Sequence, residues 1–157
     1  PYRRQRQMCI RDSKYMTRTE TRELTFELLY SLEIQKNEKS EYSEQIEMFL
    51  NEQEINQEKA KTYINQTILG INENEEEILK LISQNLKEKW DISRISKVNT
   101  ALLKLATYEI VYAKLPYKVV VNEVVEIAKK YGDENSPSFI NGILANIIKQ
   151  TGITNEE

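Results

Sequence analysis

The segment from Pro116 to Ile148 constrains the fold most, because its pattern is a helix, a stop and a second helix. Pro116 ends whatever helix precedes it, since its ring and missing N–H cannot continue one. Gly132 predicts a helix C-terminus, and Ser136 and Pro137 predict the next N-terminus as cap and first helical residue. The predicted hairpin has two sets of apolar positions at helical spacing, namely Val121, Val124, Val125 and Ala128, and then Phe139, Ile140, Ile143, Leu144, Ile147 and Ile148.

Composition extends this interpretation to the whole chain. Only four glycines and three prolines interrupt 157 residues rich in Leu, Ile, Glu and Lys, which favours helix over sheet. A chain of this length is normally one domain with a sizeable core. We therefore predict an all-α fold of about seven helices in two packed helical subdomains. The single domain covers residues 16–150, with halves at about 16–71 and 72–150, followed by a tail at 151–157.

Residues 1–15 differ from the rest of the chain. They show no helical period, and they hold five basic groups and one acid, whereas the remainder carries a net charge of −7. One interpretation is a basic arm that binds RNA phosphates. The other, which we favour, is a disordered or non-native segment resembling translated adapter sequence, with Met16 as the native start. Any nucleic-acid site after Met16 must then be a local patch on an acidic body.

The residue inventory excludes several functional classes. The chain has no histidine and one cysteine, Cys9, so His-based triads, His or Cys zinc sites and an internal disulfide framework are ruled out. The apolar runs are too short for a membrane span, and no signal peptide is visible. We expect a cytoplasmic protein that is not an enzyme and that uses no cofactor or metal.

Three segments carry a family resemblance. The sequence PYKVVVNEVVEIAKKYG over residues 116–132 is followed by FINGIL over residues 139–144. Together they resemble the NusB family of bacterial transcription antitermination factors, which has the patterns PYKV-x-x-NE-x-x-E-x-AK-x-x-G and F-[VI]-NG-[VI]-L. Residues 94–109 fit the family's RI-x-x-V-x-x-A-x-LR-x-A-x-YE helix, with Lys104 where arginine is common. A weaker match covers Arg22-Glu23 and residues 28–30.

The resemblance implies an adaptor without catalysis. NusB proteins bind boxA, a short single-stranded element of nascent ribosomal RNA leaders, together with NusE, a protein of the small ribosomal subunit. The pair joins other Nus factors on RNA polymerase and suppresses termination. Two alternatives are an RNA-binding portion of an rRNA cytosine methyltransferase and a protein-interaction module without RNA binding. The first would need a C-terminal Rossmann-like domain with a catalytic cysteine, which the chain to Glu157 does not contain. The sequence leaves open whether the protein forms a homodimer that hides the RNA surface.

Tyr117 and Lys118 are the central candidates for RNA contact. They begin a helix, where N–H groups and the dipole attract phosphate, and a tyrosine can stack on an unpaired base. The family usually has an arginine-rich segment near the start, but after Met16 this chain offers only Arg18 and Arg22 there, which a solvated helix face explains equally well. The predicted RNA-binding residues are Arg18, Arg22, Tyr30, Lys104, Tyr117, Lys118, Lys129 and Lys130.

The same hairpin holds the candidates for partner contact. These are Glu123, Asp133, Glu134 and Asn135, although surface acids and a plain turn between helices would explain them too. Asn122 and Asn141 are expected to hydrogen-bond helix to helix. Gly142 lies within a helix, where it costs about 1 kcal/mol relative to alanine, so close packing or a contact surface should require it.

Overall fold

A computed structural model describes residues 16–87 and 91–153. Within these ranges the chain forms seven α-helices and no β-strand, so the predicted all-α fold is confirmed. The predictions for residues 1–15 and for residues 154–157 of the tail lie outside the described residues. The helices are α1 (Arg18–Gln35), α2 (Tyr42–Glu52), α3 (Glu58–Glu73), α4 (Glu75–Gln84), α5 (Lys97–Thr107), α6 (Tyr117–Tyr131) and α7 (Ser136–Thr151).

Shorter elements join these helices. Single 3₁₀ turns occur at Lys39–Glu41 and Ile92–Arg94, and a π-helical turn at Tyr108–Tyr112 extends α5. No helix in the described part of the chain has the length and apolar character needed to cross a membrane. The chain divides into two compact units, the first ending at Leu69 and the second beginning at Gly70.

The first unit begins with a capping box, which the sequence Thr17-Arg18-Thr19-Glu20 itself predicts. The Thr17 hydroxyl accepts a hydrogen bond from the Glu20 N–H at 3.1 Å, and the Glu20 carboxylate accepts one from the Thr17 N–H at 2.8 Å. Two N–H groups that the helix cannot satisfy are thereby paired, which fixes where α1 starts. The apolar core of this unit consists of Leu24, Phe26, Leu28, Leu29, Leu32, Ile46, Leu50, Ile55, Ala60, Ile64 and Ile68.

The second unit is built around α5. Every residue from Ala101 to Thr107 is buried, and α5 contacts α4, α6 and α7. A helix buried around its whole circumference needs neighbours on every side, so its sequence requires a central position. The Ser96 side chain caps its N-terminus by accepting from the Asn99 N–H at 3.1 Å. A cap for this helix at Asp91 or Ser93, which their residue types would suggest, is not formed, because Asp91 caps the preceding 3₁₀ turn instead.

The turn between α6 and α7 depends on a close approach of the chain to itself. A Cβ on Gly132 would lie 2.5 Å from the Ser136 hydroxyl oxygen, so only glycine fits there. Asp133 Oδ1 accepts hydrogen bonds from the N–H groups of Asn135 at 2.8 Å and Ser136 at 3.1 Å. The structure therefore corrects the prediction that Ser136 is the N-cap: Ser136 is the first residue of α7, and the Asp133 carboxylate satisfies its N–H.

Two other glycines differ in their surroundings. A Cβ on Gly70 would overlap the ring of Tyr108, with the phenol oxygen 2.5 Å away. The same ring stacks on Tyr112, with the two ring centres 6.0 Å apart. Burial raises the pKa of the Tyr108 phenol, and the nearby Glu109 and Glu73 carboxylates raise it further.

A Cβ on Gly142 would meet no atom of the described residues within 4 Å, so the expected close packing at Gly142 is wrong.

These surroundings predict opposite effects of alanine at the two positions. Gly142→Ala should stabilise the protein by up to about 1 kcal/mol, because alanine is the better helix former and the space is open. Gly70→Ala should be less stable than Gly142→Ala by about 1–3 kcal/mol, because the Tyr108 ring must move. Urea unfolding measures both. Equal stability of the two variants would show that the Tyr108 contact is not rigid.

Candidate nucleic-acid interface

The N-terminus of α6 presents the predicted tyrosine and lysine at its first two positions. Pro116 occupies the N-cap position and provides no side-chain cap. The Tyr117 side chain is half-buried and Lys118 is exposed. The positive end of a helix dipole and the adjacent ammonium group both favour an anion at this place.

An open groove runs from this N-terminus between α6 and α7. We call it the α6–α7 groove; it has a volume of about 540 Å³, and no carboxylate belongs to the described residues that line it. Lys118 and Lys149 both line it, and neither ammonium has an ion-pair partner within residues 16–87 and 91–153. The groove therefore combines positive charge with an apolar floor. Its lining residues are Tyr117, Lys118, Val121, Asn122, Val125, Asn141, Ala145, Ile148 and Lys149.

A second concavity lies beside the turn that joins α6 to α7. We call it the turn hollow; it has a volume of about 310 Å³ and is lined by Arg94, Ile95, Ser96, Asn99, Asp133, Asn135 and Phe139. Asn99 is only 9% exposed, and its Oδ1 has no hydrogen-bond partner among the described residues. A buried acceptor left unsatisfied costs about 1–3 kcal/mol, which favours a donor from a ligand. Arg94 adds a cation and Phe139 an aromatic ring, so the hollow suits a nucleotide.

Sequence reasoning missed the turn hollow. Phe139 fits the apolar row of the hairpin, and nothing in the spacing of Arg94 and Asn99 distinguishes them from ordinary surface residues. Their proximity depends on how α5 and α7 pack, which periodicity does not give.

Known proteins similar to this chain match it over most of its length. A family model described as "NusB family" matches residues 19–149. The transcription antitermination protein NusB of Clostridium novyi is 42% identical over 136 residues, covering 85% of this chain and 99% of the relative. The chain belongs to the NusB family. The solved structure of T. maritima NusB agrees with a TM-score of 0.75 at 40% identity, covering 85% of this chain and 92% of that one.

Another solved structure contains NusB with ligands. It holds the antitermination factors NusB and NusE in complex with dsRNA. This chain matches it with a TM-score of 0.76 at 26% identity, covering 85% of this chain and 96% of that one. The NusB fold is therefore shared with a protein that has been seen with both RNA and NusE.

Lys104 occupies the position where NusB proteins commonly have arginine, but it is not at the surface. Its side chain is 3% exposed, and its ammonium lies 2.8 Å from the Glu75 carboxylate. The structure thus corrects the expectation that Lys104 shares an exposed surface with Tyr117 and Lys118. The physical reason is the central position of α5, which buries Lys104 and leaves its charge to be balanced from α4.

Lys129 and Lys130 are exposed in the last turn of α6. Lys129 forms an ion pair of 2.8 Å with Glu126, and the Lys130 ammonium lies 5.5 Å from the centre of the Tyr131 ring. At a rise of about 1.5 Å per residue they lie roughly 18 Å from Lys118 along the helix. The two lysines are therefore at the turn-hollow end of α6 and do not line the α6–α7 groove.

The remaining RNA candidates lie in the first unit. Arg18 is exposed, and its guanidinium stacks over Tyr63 at 4.3 Å. Arg22 is only 2% exposed and lies 6.0 Å from the same ring, so it belongs to the interior of the unit. Tyr30 is half-buried and stacks on Phe26 at 5.9 Å. Of these three, Arg18 is the residue most open to a ligand.

The candidate partner residues occupy two places on the hairpin. Glu123 is half-buried on α6, while Asp133, Glu134 and Asn135 are exposed in the turn. The hydrogen bonds of Asp133 within the turn give it a structural role, and Asn135 also lines the turn hollow. Glu134 is exposed, so a partner protein could reach it, and its contact with such a partner stays a prediction.

The Lys104–Glu75 ion pair predicts an asymmetric response to substitution. Glu75→Gln should lower the free energy of unfolding by about 3 kcal/mol, because it leaves a buried ammonium without this carboxylate. Lys104→Met should cost less, because it removes the buried charge at similar volume and Glu75 is partly exposed to water. Urea unfolding measures both, and an RNA titration of Lys104→Met gives the second readout. Weakened RNA binding by stably folded Lys104→Met would return Lys104 to the interface.

Proposed function

We propose that this protein is a transcription antitermination factor that binds boxA-type single-stranded RNA together with NusE and acts as an adaptor on RNA polymerase. The observation that carries the proposal is its similarity to the C. novyi antitermination protein over 99% of that protein's length. The similarity to NusB in a NusB–NusE–RNA complex supports the partners. The adaptor role requires binding surfaces and no catalytic step, in line with a chain that lacks histidine.

The RNA surface we propose lies on the second unit. Tyr117 and Lys118 offer a ring for stacking and a cation for phosphate, at the helix end that favours anions. The turn hollow offers a second such set in Arg94, Asn99 and Phe139. The exposed lysines at the end of α6 add charge beside it. These local concentrations of positive charge matter because the protein as a whole is negative.

We place NusE on the same hairpin, with Glu134 and the exposed turn around it as contacts and Glu123 as a further one. The RNA and the partner would then approach neighbouring parts of α6 and α7. Such an arrangement explains why each ligand should strengthen the binding of the other, since NusE would complete a surface that is small on its own.

A titration with and without NusE tests the proposal. Labelled single-stranded boxA RNA should bind weakly to the protein alone and more tightly when NusE is present, with affinity that falls as salt rises. Double-stranded RNA, the form in the solved NusB–NusE complex, serves as the comparison. A protein-interaction module without RNA binding would bind NusE and leave both RNAs unbound at every salt concentration.

Substitution of Tyr117 tests the stacking contact. Tyr117→Ala should weaken RNA binding by about 1–3 kcal/mol, whereas Tyr117→Phe should keep most of the affinity because the ring remains. Phe139→Ala makes the same test at the turn hollow, and Asn99→Ala tests its acceptor. Circular dichroism must show unchanged helix content. If the three alanine variants all bind like the parent protein, the RNA surface lies elsewhere.

A further inference from the structure

Asn122 and Asn141 do not connect helices, which makes the expectation of interhelical hydrogen bonds wrong. Both are exposed, both line the α6–α7 groove, and neither side chain has a hydrogen-bond partner in the described part of the chain. Other asparagines of this protein behave differently. The side chains of Asn65, Asn74 and Asn85 each donate to a backbone carbonyl one turn earlier in their helices.

The cations of the groove show a similar contrast. The ammonium groups of Lys104 and Lys129 are each balanced by a carboxylate at 2.8 Å. Lys118 and Lys149, one from each wall of the groove, have no such partner among residues 16–87 and 91–153. The α6–α7 groove thus has two amides and two ammonium groups not engaged within the described structure.

We propose that the α6–α7 groove holds one unpaired RNA base, whose edge is read by Asn122 and Asn141 and whose flanking phosphates are held by Lys118 and Lys149. This inference rests on the RNA-binding function proposed above and assigns base recognition to two residues that the sequence predicted only as links between helices. It makes the groove a specificity-determining site in addition to a place of charge attraction.

The chemistry of the groove matches such an occupant. An amide has two donor hydrogens and an acceptor oxygen, so an asparagine can make paired hydrogen bonds to the edge of a base. The floor of valine, alanine and isoleucine side chains covers the face of a base, and Tyr117 at the groove's end adds a ring for stacking. Charge favours RNA over a peptide, because the lining residues that the structure describes are cationic or neutral, which complements a polyanion.

Alanine variants with a matched control test the base contact. Asn122→Ala and Asn141→Ala should each weaken binding of single-stranded boxA RNA about tenfold, the loss expected for a base-edge hydrogen-bonded pair. Asn146→Ala, at an exposed asparagine of α7 outside the groove, should leave affinity unchanged. Fluorescence anisotropy with purified full-length protein, with NusE present, measures all three.

Abasic RNA identifies which base is read. In a series of boxA RNAs that each lack one base, one position should weaken binding to the parent protein more than binding to Asn141→Ala, since the Asn141 contact can be lost only once. Lys149→Ala should lower the slope of log affinity against log salt by about one, and Lys80→Ala, at an exposed lysine of α4, should not. These results together support the proposal.

The outcomes separate this inference from the proposed function. If Tyr117→Ala weakens RNA binding while the groove asparagine variants behave like Asn146→Ala on every RNA, base reading in the groove is overturned and the antitermination role stands. If the asparagine variants lose affinity for NusE in the absence of RNA, the groove is a protein site and the inference is again overturned. If the parent protein with NusE binds no RNA, the proposed function itself fails.

Discussion

The structure of the second unit depends on the complete burial of α5. Because its residues from Ala101 to Thr107 all lie inside, α4, α6 and α7 must cover it from different sides, and the α6–α7 hairpin has one apolar face committed to this task. The opposite faces of the hairpin are left for ligands. The buried Lys104–Glu75 pair is part of the same constraint, because a charge on a central helix has to be balanced from a covering one.

Lysines in this protein have different roles that residue type alone does not reveal. Lys104 is neutralised in the interior, Lys129 is paired on the surface, and Lys118 and Lys149 line a groove with no carboxylate among its described lining residues. In an acidic protein, cations that no carboxylate offsets are the places where a polyanion gains most. Pairing with carboxylates, in addition to the number of basic residues, therefore bears on where RNA would bind in the proposed function.

The sequence predicted the features that depend on neighbouring residues. The capping box at Thr17, the break at Pro116 and the hairpin are local, and the motifs of residues 94–144 identified the family correctly. The sequence could not predict that Lys104 is buried and Asn141 exposed. A rotation of a helix about its axis by a single residue position changes which side chains face the core. The unsatisfied oxygen of Asn99 arises from the packing of distant segments, so no spacing rule would indicate it.

That buried amide oxygen also has a consequence for the energetics of the free protein. A hydrogen-bond acceptor that is removed from water and has no donor lowers the stability of the unliganded native state. A ligand that donates a hydrogen bond to this oxygen would recover the lost free energy. Part of the binding affinity would then come from satisfying the Asn99 acceptor. An apolar side chain at position 99 would remove this cost, so the gain in thermal stability from such a replacement would measure how much the unsatisfied oxygen takes from the native state.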